Sequence, residues 1–169
     1  MARPDWLRFP RTVDDTATRV TAAGVTVIAV SYLATRWSWL LVVLTYGFAA
    51  RVFAGATFSP LARLARDVVG PRIRRAARPI AGPPKRFAQL VGLIFSASSA
   101  LAASVFGAVP VAVGLVAVLT VFAFLEAAVG FCMGCTVFAW LMKVGVIPAT
   151  VCIECSDIWS RLPSADVAG

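Results

Sequence analysis

Residues 87–125 read FAQLVGLIFSASSALAASVFGAVPVAVGLVAVLTVFAFL and contain no charged side chain. A helix rises about 1.5 Å per residue and the hydrocarbon core of a bilayer is about 30 Å thick, so this stretch crosses lipid nearly twice. Gly107 and Pro110 supply the break between two helices, the glycine through its conformational freedom and the proline through its missing amide. Small residues crowd the first half, in Ser96-Ala97-Ser98-Ser99-Ala100 and Ala102-Ala103-Ser104. Such residues let helices approach closely in lipid, where association depends on packing rather than on escape from water. The pattern predicts two membrane spans, at about 87–107 and 111–131, within a packed bundle.

The remainder of the chain agrees with a lipid environment. Of 169 residues 60% are apolar and 14% charged, against about 25% charged in an ordinary soluble domain, which excludes a soluble globular fold. Two more spans precede the central stretch, at about 20–36 between Arg19 and Arg36, and at about 38–58. The second carries Arg51, a charge that must face protein rather than lipid. Trp37 and Trp39 mark a membrane interface between the two. The polar tail at 1–19 lacks the apolar core and small-residue cleavage site of a signal peptide, so no cleaved leader is expected. The expected architecture is an all-α, four-span transmembrane bundle over 20–142, followed by a short cysteine-containing tail at 143–169.

Charge sets the expected orientation. Of the net charge of +8, nearly all arises in residues 51–86, where nine arginines and lysines face the single acid Asp67. Short loops rich in arginine and lysine stay on the cytoplasmic side, so the 59–86 loop, both termini and the tail are expected there, in a bacterial inner membrane. Pro71, Pro79, Pro83 and Pro84 limit this loop to a short amphipathic helix near 61–69. The basic loop lacks interleaved aromatics, so its expected partners are anionic lipid headgroups and not nucleic acid.

With no histidine in the chain, imidazole-based acid–base, haem and zinc chemistry is excluded, and no phosphate-binding glycine loop or nucleophile elbow occurs. The chemical candidates are four cysteines and two intramembrane charges. Cys132-Met133-Gly134-Cys135 and Cys152-Ile153-Glu154-Cys155 form two CxxC pairs, the arithmetic of a four-thiolate metal site. A permanent disulfide conflicts with a reducing cytosol. Two alternatives stay open: a structural zinc clamp on all four thiolates, giving a non-enzymatic membrane scaffold, or a reactive dithiol favoured by the neighbouring positive charge. In the redox reading Cys132 and Cys135 form the primary dithiol, and Cys152 and Cys155 a resolving or relay pair.

Gly130 and Gly134 bracket Cys132 and predict a helix contact face, or a break that starts a new helix at the first pair. Glu126 is expected to form a structural ion pair with Arg51, the other intramembrane charge at similar depth. On one continuous helix Cys135 would lie nearly opposite Glu126, which makes this carboxylate a poor general base for the thiols.

The residues Pro83-Pro84-Lys85-Arg86-Phe87-Ala88-Gln89, Gly92, Ala123-Phe124-Leu125-Glu126-Ala127 and Gly130-Phe131-Cys132-Met133-Gly134-Cys135 resemble the bacterial membrane family called domain of unknown function 4395 (DUF4395). The similarity extends over about 13–142, and the run at 141–148 leading to Cys152 and Cys155 resembles a subgroup with a second pair. The resemblance implies a multi-pass membrane protein and, in some actinobacterial members, association with thioredoxin-like and rhodanese-like sulfurtransferase proteins. Phe138 stands where the family commonly carries tyrosine. The expected function is thiol redox or sulfur transfer with such a soluble partner.

Overall fold

The computed structural model describes residues 12–54 and 79–146. They form five helices, α1 (Asp15–Thr35), α2 (Ser38–Ala54), α3 (Gly82–Ser104), α4 (Val109–Val129) and α5 (Met133–Lys143). A short antiparallel ladder joins β1 (Thr12–Asp14) to β2 (Pro79–Ala81), with Thr12 opposite Ala81 and Asp14 opposite Pro79. Pro79 opens its strand, where a missing ladder donor is tolerated. The ladder lies just ahead of α1 and of α3, so it brings the starts of these two helices together.

Helices α1 to α4 form a ring in which α1 packs on α2 and α4, and α3 packs on the same two neighbours. Successive helices run up and down, so every contact around the ring is antiparallel. Short connections enforce this between α1 and α2 and between α3 and α4. Arg36 enters the left-handed region at φ 58° and its amide bonds to the Tyr32 carbonyl at 2.8 Å, which turns the chain between α1 and α2 within two residues. Between α3 and α4 the turn uses Gly107 at φ 62°, and Pro110 follows in the first turn of α4, where its missing amide costs nothing.

The bundle is apolar on its outer surface as well as in its core. Ala29, Ser96, Ser99 and Ala112 are fully buried, whereas Val27, Val30, Ile94, Leu101, Val121 and Phe124 face outward. The core combines these small residues with Tyr32, Leu41 and Val116, and large apolar groups on the outside suit lipid, where close packing holds the helices together. Gly92 shows how close the approach is: a Cβ at this position would lie 2.3 Å from the Phe48 ring. The buried serine hydroxyls donate within their own helix, Ser96 to the Leu93 carbonyl at 3.1 Å and Ser99 to that of Phe95 at 2.7 Å. No interior hydroxyl in this pair therefore needs water.

Three helices, α1, α3 and α4, are long and apolar enough to cross a membrane, at 21, 23 and 21 residues. The apolar helix in the second position covers Ser38–Phe53 and is shorter, spanning about 24 Å. Its expected continuation to residue 58, the amphipathic helix near 61–69 and the tail beyond 146 lie outside the described residues. Helix α1 begins at Asp15, five residues ahead of the expected start, because Asp15 bonds to Arg19 one turn on (3.0 Å) and its carboxylate suits the first turn. Helix α3 likewise starts early, at Gly82, since Pro83 and Pro84 are compatible with a first helical turn.

Candidate functional site

The up-and-down topology places the start of α1, the end of α2, the start of α3 and the end of α4 at one end of the bundle. That end collects the charges Asp15, Arg19, Arg51, Lys85 and Glu126, and the short α5 packs there on α3. Gly130 ends α4 in the left-handed conformation at φ 76°, with its amide bonded to the Glu126 carbonyl at 3.0 Å. Arg19 crosses from α1 to donate to the Val129 carbonyl at 3.2 Å, so the last turn of α4 is capped by a cation. A Cβ on residue 130 would meet that guanidinium at 2.0 Å.

Two residues later a new helix begins, and Cys132 is its N-cap. Its backbone is extended (φ −99°, ψ 103°), and Sγ accepts the Cys135 amide at 3.4 Å. The spacing of a CxxC pair makes this possible, because an N-cap side chain reaches the third amide of the helix that follows it. Gly134 brings the turn against α3: a Cβ there would lie 2.5 Å from the Ala88 Cα. Farther along, Phe138 is buried and packs on Phe87, with ring centroids 5.7 Å apart. Both contacts fix α5 to the first turns of α3.

Cys132 is buried and Cys135 half-buried, and both are free thiols. The hydrogen bond from the Cys135 thiol lowers the Cys132 pKa, with Lys85 and the Cys135 amide acting in the same direction against burial and Glu126. The same bond raises the Cys135 pKa, and burial adds to it. The pair is thus asymmetric, with Cys132 the thiol that ionises first.

Lys85 and Glu126 form an ion pair whose side chains are 7% and 16% exposed. This corrects the expected Arg51–Glu126 ion pair. Arg51 instead lays its guanidinium over the Phe48 ring at 4.5 Å, and its Nε and Nη1 find no hydrogen-bond partner among the described residues. The reason is register: Lys85 begins α3 beside the end of α4, whereas Arg51 is held by its neighbour three residues back. Charge and hydropathy alone put Lys85 in the headgroup-facing loop, and the signal that exposes it is Pro83-Pro84, which marks a helix start. The continuous-helix geometry between Glu126 and the thiols is also corrected, since the helix ends at Val129 and Glu126 acts electrostatically on both cysteines.

The structure brings together Cys132, Cys135, Lys85 and Glu126. Cys152 and Cys155 lie outside the described residues, and among those residues no group of three or more cysteine or carboxylate side chains is arranged to hold a metal ion.

Residues 13–143 match the family described as Domain of unknown function (DUF4395). The chain belongs to that family. No curated protein and no solved structure matches it. The DUF4395 match runs from β1 to the last residue of α5, so it takes in Cys132 and Cys135 and stops short of Cys152 and Cys155. The Lys85–Glu126 pair and Arg51 also fall within it.

Proposed function

We propose that this DUF4395 protein carries out thiol–disulfide exchange, or sulfur transfer by the same nucleophile, with a soluble thioredoxin-like or rhodanese-like partner at the cytoplasmic face of the bacterial inner membrane. The observation that carries this reading is Cys132 as N-cap of α5, accepting the Cys135 amide beside the Lys85 ammonium. A thiolate at a helix N-terminus is favoured by the amide dipoles, and the thiolate is the nucleophile in disulfide exchange. The charge-rich end of the bundle and the basic 59–86 loop support a cytoplasmic location.

In the exchange reaction the Cys132 thiolate attacks one sulfur of a partner disulfide, forming a mixed disulfide and releasing the partner's other sulfur as thiolate. Cys135 then gives its proton to that leaving thiolate and attacks Cys132 Sγ. This second attack breaks the mixed disulfide and releases the partner's first sulfur as thiolate, which takes a proton from solvent, so the products are a Cys132–Cys135 disulfide and a dithiol partner, with two electrons passed to the partner. Cys152 and Cys155 would reduce the new disulfide by the same two steps.

The test is a redox titration of the detergent-purified full chain against glutathione buffers, with thiols counted by a mass-tagged maleimide. A two-electron transition lost in Cys132→Ser and in Cys135→Ser is the expected result. One tightly bound zinc per chain with four thiols protected from alkylation would replace the reading with the structural scaffold. Labelling of the cysteines by an impermeant maleimide in unbroken spheroplasts would overturn the cytoplasmic orientation.

A further inference from the structure

Helix α5 crosses α3 instead of running beside it. Gly134 faces Ala88, where a Cβ on residue 134 would lie 2.5 Å from the Ala88 Cα, and one turn later Phe138 packs on Phe87 with ring centroids 5.7 Å apart. Four residues along α5 thus move the contact by a single residue along α3, whereas helices lying side by side would advance by about four on each. Helix α5 therefore lies across the bundle axis. At 11 residues, or about 16 Å, it is too short to span a bilayer.

At about 100° per residue the surface of α5 divides into three strips. The first carries Gly134 and the buried Phe138 and faces α3. On the second, Val137, Trp140 and the capping residue Val144 lie within about 60° of one another. All three are exposed, Trp140 by 61%. The third strip, also exposed, holds Thr136 and Lys143. An apolar exposed strip beside a polar one is the pattern of a helix lying in the plane of a membrane interface.

The surroundings of α5 identify a bilayer as what covers the apolar strip. Exposed apolar surface continues from Val129, at the end of α4, through Phe131 to Val137, Trp140 and Val144, so the strip extends the outer surface of a helix long and apolar enough to cross a membrane. The crossing lies at the depth where charge returns to the chain, since Lys85 and Glu126 pair there and bracket the uncharged run of 87–125. Trp37 and Trp39 are exposed at the opposite end of the bundle. Helix α4, about 30 Å long, separates the two tryptophan levels by the thickness of a hydrocarbon core.

We propose that α5 is an in-plane anchor whose Val137, Trp140 and Val144 lie in the acyl–headgroup boundary of the phospholipid leaflet at the charged end of the bundle, with Thr136 and Lys143 turned to the headgroups. The valines enter the acyl chains, the indole keeps its N–H at the polar boundary, and the Lys143 ammonium reaches the phosphates. Cys132 is the N-cap of the same helix and is thereby fixed at headgroup depth, so a protein that reacts with it works at the membrane surface. No cysteine belongs to the apolar strip, and the anchor stands whether or not the thiols exchange disulfides.

The experiment uses the full chain in vesicles of phosphatidylcholine and phosphatidylglycerol, with Trp6, Trp37, Trp39 and Trp159 replaced by phenylalanine so that emission reports Trp140 alone. The vesicles carry lipids brominated near the glycerol end, at the middle or near the methyl end of the acyl chain. Bromines near the glycerol end are expected to quench about twofold or more strongly than those near the methyl end, as for a ring about 5–10 Å into the boundary, and acrylamide in the water should quench little. Should the replacements prevent folding, the emission lost between the unaltered chain and Trp140→Phe supplies the same comparison. Strong acrylamide quenching without bromine quenching would leave the strip in water for a soluble protein, and emission insensitive to both would place a second copy of the chain over it. Either result, or strongest quenching from the methyl end, would overturn the proposal.

Discussion

Removing the Glu126 carboxylate tests the electrostatic design of the thiol end most directly. Glu126→Gln leaves the Lys85 ammonium, 7% exposed, without its partner and leaves Arg51 without the nearest negative charge. Breaking one side of a buried ion pair costs about 3–5 kcal/mol, largely because the surviving charge stays desolvated. Glu126 retains 16% exposure and lies at the end of the bundle, so the lower figure, about 3 kcal/mol, is expected. Lys85→Met strands the carboxylate in the same way and should cost a similar amount. The double variant buries no unpaired partner, so it should be less destabilised than the sum of the singles by about 2 kcal/mol. Unfolding of the purified protein by titrating sodium dodecyl sulfate into mixed micelles, followed by tryptophan fluorescence, measures all four corners of the cycle. Additivity within about 0.5 kcal/mol would refute the pairing. A second readout separates packing from charge: at neutral pH Lys85→Met should slow alkylation of Cys132 and Glu126→Gln should accelerate it, because the ammonium favours the thiolate and the carboxylate opposes it. Shifts in the same direction would refute the electrostatic link to the thiol.

The two cysteines should separate in a pH series with iodoacetamide, Cys132 reaching half its maximal rate at lower pH than Cys135, as read by mass spectrometry of each site. Coincident profiles would remove the asymmetry. Cys135→Ala should raise the Cys132 midpoint towards that of a free thiol, since it removes the side-chain hydrogen bond that is the largest favourable influence on it. Gly134→Val must push α5 away from the Ala88 backbone, and the expected outcome is accelerated alkylation of the buried Cys132 with little loss of membrane insertion, checked by protection kinetics. Gly92→Leu overlaps the Phe48 ring and should destabilise the α2–α3 contact by about 1–3 kcal/mol in the same detergent titration; a neutral result would place the two helices farther apart.

Much of the fold was legible because a bilayer imposes simple rules on composition. The uncharged run at 87–125, divided at Gly107 and Pro110, announces two helices, and the serine and alanine clusters announce that one of them is packed closely. Helix starts were read less well, since Asp15 and Pro83-Pro84 look like loop residues when only hydropathy is followed, yet they suit first turns. At the site, the CxxC spacing singled out Cys132 and Cys135, and Gly130 marked a helix end or a contact. The structure gives it the first role through its φ of 76°, while Gly134 takes the second.

By itself, then, the sequence determined the solvent of the helices, the family and the pair of thiols, because hydropathy, motif and spacing are local along the chain. Tertiary structure alone decided which cation meets Glu126. Arg51 and Lys85 are equivalent charges in a linear reading, but the register of α3 against α4 brings Lys85 to the carboxylate, while Arg51 rests on Phe48 beside a cavity. An ion pair depends on distances of a few ångströms between helices remote in sequence, and no local pattern encodes them.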